Sequence, residues 1–360
     1  MMTVVEIPPS SATVTVSIIN TGWATGIPCT TWFKPRFEGL DTFDLCSYAF
    51  LVTHDDGARR RRVLFDMGIR RDWENIVPIW QQIFSDHGVE VKVERDVADI
   101  LTDNGIALDD VEAMVWSHLH WDHIGNPAKF PPTTKLVVGP GFKEAFMPGW
   151  PTNLRAEFKQ EDVAGRTIVE IEKSQFDESV GGFPGYDYFG DGSFFLLDAP
   201  GHVTGHINAL ARTTADPESF IFMAADSVHF SGEFRPSALL PLPDRVEKGA
   251  PPLPRPCPGS LLLGMHPKQS TVEPFLILGT SFPENLAEAD ETIRYLQEFD
   301  ADGRVLVIFA HDDKIEGYLP RFPEPANDWM RTGVKEGTRW AFLSDLYKIA
   351  KGMGGERTSW

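Results

Sequence analysis

Four side chains of metal-binding type fall within six residues at His118-Leu-His120-Trp-Asp122-His123, directly after the apolar run Met114-Val-Trp. Three of the chain's ten histidines stand in that hexapeptide, too dense a grouping for scattered capping or surface histidines. The apolar run reads as a short strand, so the cluster sits where a strand end meets a loop. Ligands at i and i+2 leave an extended segment on one side and converge on one ion. The pair two and three residues further on can turn toward a second. Imidazole and carboxylate at this spacing suit zinc, iron or manganese.

The rest of the chain alternates strands with helices. Strands are predicted at Thr13–Asn20, Cys46–Thr53, Arg62–Phe65, Ala113–Trp116, Phe194–Leu197, Phe220–Ala225 and Val305–Ala310, and helices at Val93–Leu101, Glu284–Phe299 and Trp340–Ala350. That alternation makes the class α/β or α+β with layered sheets. The 360 residues suit one large domain over 12–360, preceded by a loose arm at 1–11. Residues 231–275 break the pattern. They carry the run Pro251-Pro-Leu-Pro-Arg-Pro-Cys-Pro and little periodicity, which reads as an insertion.

Charge and cysteine content narrow the partners. A formal net charge of −19 disfavours nucleic acid and anionic membrane surfaces. The dense basic run Arg59–Arg62 reads as a solvated hairpin tip. Three cysteines, Cys29, Cys46 and Cys257, show no CxxC spacing and indicate a reducing compartment. No apolar stretch reaches the ~20 residues of a membrane helix, and no basic-then-apolar leader is visible. The expected location is therefore cytoplasmic.

The His-x-His-x-Asp-His pattern resembles the metallo-β-lactamase superfamily, and further motifs follow in its order. Leu64-Phe-Asp66-Met-Gly68, Pro200-Gly-His202-Val-Thr-Gly205-His206, Phe222-Met-Ala-Ala-Asp226 and Val307-Ile-Phe-Ala-His311 each match, across roughly residues 45–315. The resemblance implies a four-layer αβ/βα sandwich and two divalent ions, zinc by default with iron or manganese as alternatives. It implies His118, His120 and His206 on the first ion, Asp122, His123 and His311 on the second, and Asp226 as the bridge. Asp66 would orient a ligand histidine from behind, and His202 would structure its loop. A water shared by the ions, its pKa lowered toward neutrality, would be the nucleophile, with Asp122 counted among the catalytic residues.

Within the superfamily, Asp226 stands where antibiotic-cleaving members tend to have cysteine. The chain resembles instead the lactonase, glyoxalase II-type thioesterase and RNA-processing branches, and the N-acyl-homoserine lactonases most. Those enzymes usually place a tyrosine three residues after the bridging aspartate; here His229 stands there, a candidate proton donor. The leading expectation is a lactonase acting on a small molecule with an apolar portion. Alternatives are a lactam or cyclic carbamate hydrolase in detoxification, a glyoxalase II-like thioesterase, and a non-catalytic metal sensor. Phe230, Phe234, Leu239, Leu240 and Leu242, at and after the start of the insertion, are expected to form a lid over the metals, with Trp121 as a wall. A monomer or homodimer is expected.

Overall fold

The computed structural model of the protein describes residues 4–36, 41–247, 251–279 and 283–351. Side-chain alternation with period two organises it. Phe194 and Leu196 enter a core shared with Val16, Phe50, Val63 and Val115, whereas Phe195 and Leu197 enter another with Phe222, Leu296 and Phe299. Strands that are apolar on both faces must be covered on both faces, and two sheets packed together with helices outside achieve this.

The first sheet has seven strands. In spatial order they are Glu90–Lys92, Val14–Pro28, Thr42–Asp55, Arg60–Phe65, Val111–Val115, Lys135–Val138 and Ile168–Glu170. The last four run parallel. The second sheet has six, in the order Val305–Ile308, Glu218–Met223, Ile207–Ala215, Phe194–Asp198, Phe183–Asp187 and Glu178–Val180. Only its first two are parallel neighbours. The helix Val97–Asp103 covers the outer face of the first sheet with Val97, Ala98 and Leu101. Leu286–Ala301 covers the second, burying Ala289, Ile293, Leu296 and Phe299 on one helical stripe. Sheets inside and helices outside give the four-layer order expected.

Most elements lie where the sequence placed them. The strand predicted at 13–20 continues to Pro28, past two register irregularities in its pairing with Thr42–Asp55. The helix predicted at 93–101 begins only at Val97. Residues 4–11 are not a loose arm. Val5 is buried against the second sheet, its N–H donates to Asp302 (2.8 Å), and Glu6 accepts from Gly181 (2.7 Å). The Arg59–Arg62 run pairs with local carboxylates: Arg60 with Asp55, Arg61 with Glu112 and Arg62 with Asp110.

The described part of the proline-rich insertion is packed, not draped. Leu242, Val246, Leu253, Cys257, Leu262 and Phe275 share a separate core with Phe342, Leu343 and Leu346 of the C-terminal segment. Leu239 is exposed. All three cysteines are buried and free. Among the described residues no helix is long and apolar enough to cross a membrane.

Five strands end at the same place. Phe65, Val115, Asp198, Met223 and Ile308 are their last residues, and Asp66, Trp116, Ala199, Ala224 and Phe309 open the loops beyond. The first loop depends on Gly68. Its φ is +61°, and a Cβ there would lie 1.9 Å from the Thr21 hydroxyl, which accepts the Ile69 N–H at 3.1 Å. Gly68→Ala is therefore expected to lower stability by at least about 1–2 kcal/mol, from the left-handed backbone alone. Urea denaturation checks this; an unchanged midpoint would mean that neither the left-handed backbone nor the Thr21 contact constrains this position.

Candidate metal centre

The loop after Val111–Val115 delivers the hexapeptide. Buried Asp66 organises it from the neighbouring strand end: Oδ1 accepts the Ser117 N–H and Oδ2 the Ser117 hydroxyl, each at 2.8 Å. The same Oδ2 lies 2.8 Å from His123 Nδ1, fixing that ring so that Nε2 points inward. His311 is held similarly, its Nδ1 2.7 Å from the Cys46 carbonyl. The Asp122 carbonyl accepts from Ser47 at 2.5 Å.

Two groups of donors result. His118, His120, His202 and Asp226 form one, and Asp122, His123 and His311 the other, with the donor atoms of each group within 4.8 Å of one another. In the first, His120 Nδ1 lies 2.9 Å from His118 Nε2 and 3.1 Å from His202 Nε2. Nitrogens sharing one tetrahedral zinc at its usual bond length stand about 3.4 Å apart, so a slight opening of this group admits an ion.

Asp226 joins the groups. Its Oδ1 is 3.1 Å from both His123 Nε2 and His311 Nε2. Its Oδ2 faces the other way, 3.6 Å from His202 Nε2 and 3.7 Å from His118 Nε2. His123 Nε2 and Asp226 Oδ1 are buried and make no hydrogen bond among the described residues. Buried polar atoms without hydrogen bonds are uncommon and call for an explanation; a cation between them provides one. The donor set thus fits two divalent ions.

Electrostatics agree with this reading in the first donor group. Burial drives the pKa of His118 and His202 well below the ordinary value and that of His120 to about 3, leaving neutral imidazoles, the form that ligates. At His123 burial opposes the charge, but Asp226, Asp66 and Asp122 outweigh it and raise the pKa well above the usual range. Burial raises Asp122, whereas His123, His311 and His229 overcome burial at Asp226 and hold its carboxyl ionised.

The loop Pro200–His206 corrects one expectation. His202, not His206, stands in the donor group. His206 has both nitrogens committed: Nδ1 donates to the Ala199 carbonyl (2.8 Å) and Nε2 accepts the Asp226 N–H (3.2 Å). It braces the backbone that carries Asp226. His202 reaches inward because its loop is pinned to the start of helix Leu286–Ala301, where Asn285 and Glu284 donate to the Gly201 and His202 carbonyls. A Cβ on Gly201 would lie 2.2 Å from the Ala289 nitrogen.

A cavity of about 240 Å³ opens onto the metal groups. His120, Asp122, Asp226, His229 and His311 form its floor, and Ile27, Trp32, Leu45, Trp80, Phe84 and Trp121 are among its walls. Trp121 is a wall, as expected. The expected lid from Phe230 and the insertion does not form among the described residues; the core shared with the C-terminal segment takes up Phe230 and Leu242 instead. His229 Nε2 is 3.2 Å from Asp226 Oδ2, and the His229 ring packs on Trp32 with centroids 5.1 Å apart. Glu233 holds this residue's backbone, accepting the His229 and Phe230 N–H groups at 2.6 and 3.0 Å.

Sequence reasoning missed the cavity helix Pro78–His87 and Glu157, whose carboxyl burial pushes up to about 7. The helix had a readable signal, Trp80 and Phe84 four apart between Pro78 and the left-handed Gly88. Glu157 had none.

Comparison with known proteins places these observations. The model of the metallo-beta-lactamase superfamily matches residues 47–216. A gamma-lactamase of Fusarium pseudograminearum is 40% identical over 97% of this chain and 86% of its own length. A gamma-lactamase of Gibberella moniliformis is 45% identical over 59% of this chain and 90% of its own. Among solved structures, B. thuringiensis AiiA with N-decanoyl-L-homoserine at its active site superposes with a TM-score of 0.57, covering 87% of this chain and 99% of that one. At 18% identity it shares the fold.

The two histidines of the Pro200–His206 loop separate experimentally. His202→Ala should cost one equivalent of bound metal with little loss of melting temperature. His206→Ala should retain both equivalents but melt earlier, from a lost buried hydrogen-bond pair worth about 1–3 kcal/mol. Elemental analysis beside thermal melts checks this, and the reverse pattern would restore His206 as the ligand.

Proposed function

The chain belongs to the metallo-beta-lactamase superfamily of hydrolases, and on that premise we propose that it opens the ring of a small cyclic amide or ester with an apolar body. The carrying observation is the Asp226 carboxylate, one oxygen turned to each donor group across the floor of an aromatic cavity. In this reading His118, His120, His202 and Asp226 hold one divalent ion, and Asp122, His123, His311 and Asp226 the other. Bound there, such ions supply a water of lowered pKa as nucleophile and a Lewis acid for the substrate carbonyl.

The chain's own residues do the rest. Trp32, Trp80, Phe84 and Trp121 exclude water and hold the apolar body of the substrate. His229, on the cavity floor beside Asp226, carries the proton that the departing ring atom needs. That role favours the amide first, because an amine leaving group must be protonated as the C–N bond breaks. The 40% identity with a gamma-lactamase over most of both chains supports the same choice. A lactone is the second reading, since its ester carbonyl passes through the same kind of oxyanion in the same cavity.

The thioesterase reading finds less support. No lysine or arginine lines the cavity among the described residues. Of the C-terminal cations, Lys314 pairs with Asp313 and Asp345, and buried Lys335 donates to the Asp302 and Val305 carbonyls, so neither is offered to a glutathione carboxylate.

A hydrolysis panel with zinc-loaded protein tests the proposal: an aryl γ-lactam, γ- and δ-lactones, short- and long-chain acyl-homoserine lactones and a glutathione thioester. Opening of the γ-lactam, with slower opening of small lactones, is expected. Thioester cleavage alone would refute it. Asp226→Ala should lose bound metal and nearly all turnover. His229→Ala should keep both metals and lose about 10²-fold or more in kcat; unchanged turnover would reduce His229 to a wall of the cavity.

A further inference from the structure

Glu157 belongs to neither donor group, yet it reaches both the metal centre and the cavity wall. The chain is held on each side of it: Ala156 donates to Asn153 O at 3.2 Å, Phe158 O accepts from Trp150 and Gln160 donates back to Trp150 O, both at 3.0 Å, and the Lys159 side chain reaches Asn75 at 2.5 Å. Phe158 is buried against Trp116 and Phe142. The Glu157 side chain is only 27% exposed. Its Oε2 accepts the Trp80 indole N–H at 2.8 Å and lies 4.0 Å from His120 Nε2.

His120 turns Nδ1 toward His118 and His202, which leaves Nε2 as the outward nitrogen. An imidazole that ligates through one nitrogen carries its proton on the other. A carboxylate near that outer N–H orients the ring and raises its basicity, and 4.0 Å is spanned by a small side-chain shift or one water. Trp80 meanwhile stands in the wall beside Trp121 and Phe84, and edge-on to His120 at 6.0 Å.

We propose that Glu157 is a positioning residue shared by the metal centre and the substrate cavity, one carboxylate oxygen setting both the His120 ring and the Trp80 indole. The proposal rests on the two-metal reading above. It makes metal affinity and substrate fit depend on one side chain that touches neither the ions nor the reacting atoms.

The test is zinc titration of metal-free protein against a competing chelator, beside kcat, KM and thermal melts, for wild type, Glu157→Gln, Glu157→Asp and Trp80→Phe. The glutamine keeps the shape and an acceptor for Trp80 but loses the charge. Glu157→Gln is expected to bind one of two zinc ions ~10-fold or more weakly, to bind the other as wild type does, and to raise KM. Glu157→Asp should recover part of the affinity. Trp80→Phe, which removes the indole donor, should raise KM while both zinc affinities stay within a few-fold of wild type. Wild-type affinity for both ions in Glu157→Gln, or a loss that merely tracks a lowered melting temperature, would overturn the proposal while leaving the two-metal reading intact. A wild-type protein that takes up no zinc would overturn that reading, and the proposal with it.

Discussion

A buried carboxylate with imidazoles on both sides is the constraint from which the architecture follows. Asp226 is 4% exposed, and an ionised carboxyl that deep must be paired. Its partners come from the ends of several strands in two different sheets. The sheets therefore have to pack face to face with those ends aligned, and the core between them enforces this. Leu196, Ile221 and Ile308 on one side meet Phe50, Val63 and Val115 on the other. The apolar core and the polar centre are two consequences of one alignment.

Much of the donor cluster was legible because side chains at strand ends leave local marks. His118, His120, Asp122 and His123 sit in one hexapeptide, and Asp226 and His311 each follow an apolar run that can only be an inner strand. The choice between His202 and His206 was not legible. Both lie in one loop at similar depth, and what separates them is the Ala199 carbonyl and the Asp226 N–H, partners set by tertiary packing. The cavity was half legible. Trp121 announces itself between ligands, whereas the helix Pro78–His87 shows its apolar face in the sequence but not what that face looks upon. Glu157 leaves no local signature, because its importance lies wholly in where Trp80 and His120 come to rest.

The proline-rich insertion shows how an apolar segment misleads when read alone. Its leucines and phenylalanines promised a cover for the metals, and two of them, Phe230 and Leu242, satisfy a different demand. The apolar face of helix Leu343–Ala350 needs a partner, and the insertion provides it. Walls for the cavity then come from the long strand Val14–Pro28, the segment around Trp32 and the helix Pro78–His87, earlier in the chain than sequence patterning suggested.

That exchange ties the last helical segment to the chemistry. Phe230, the residue after His229, packs edge-on against Phe342 with centroids 5.5 Å apart. The C-terminal segment is thus a buttress standing behind His229, the residue proposed to carry the proton. A cut in the chain near residue 340 would spare every segment that carries a donor and still take away the support behind that one histidine.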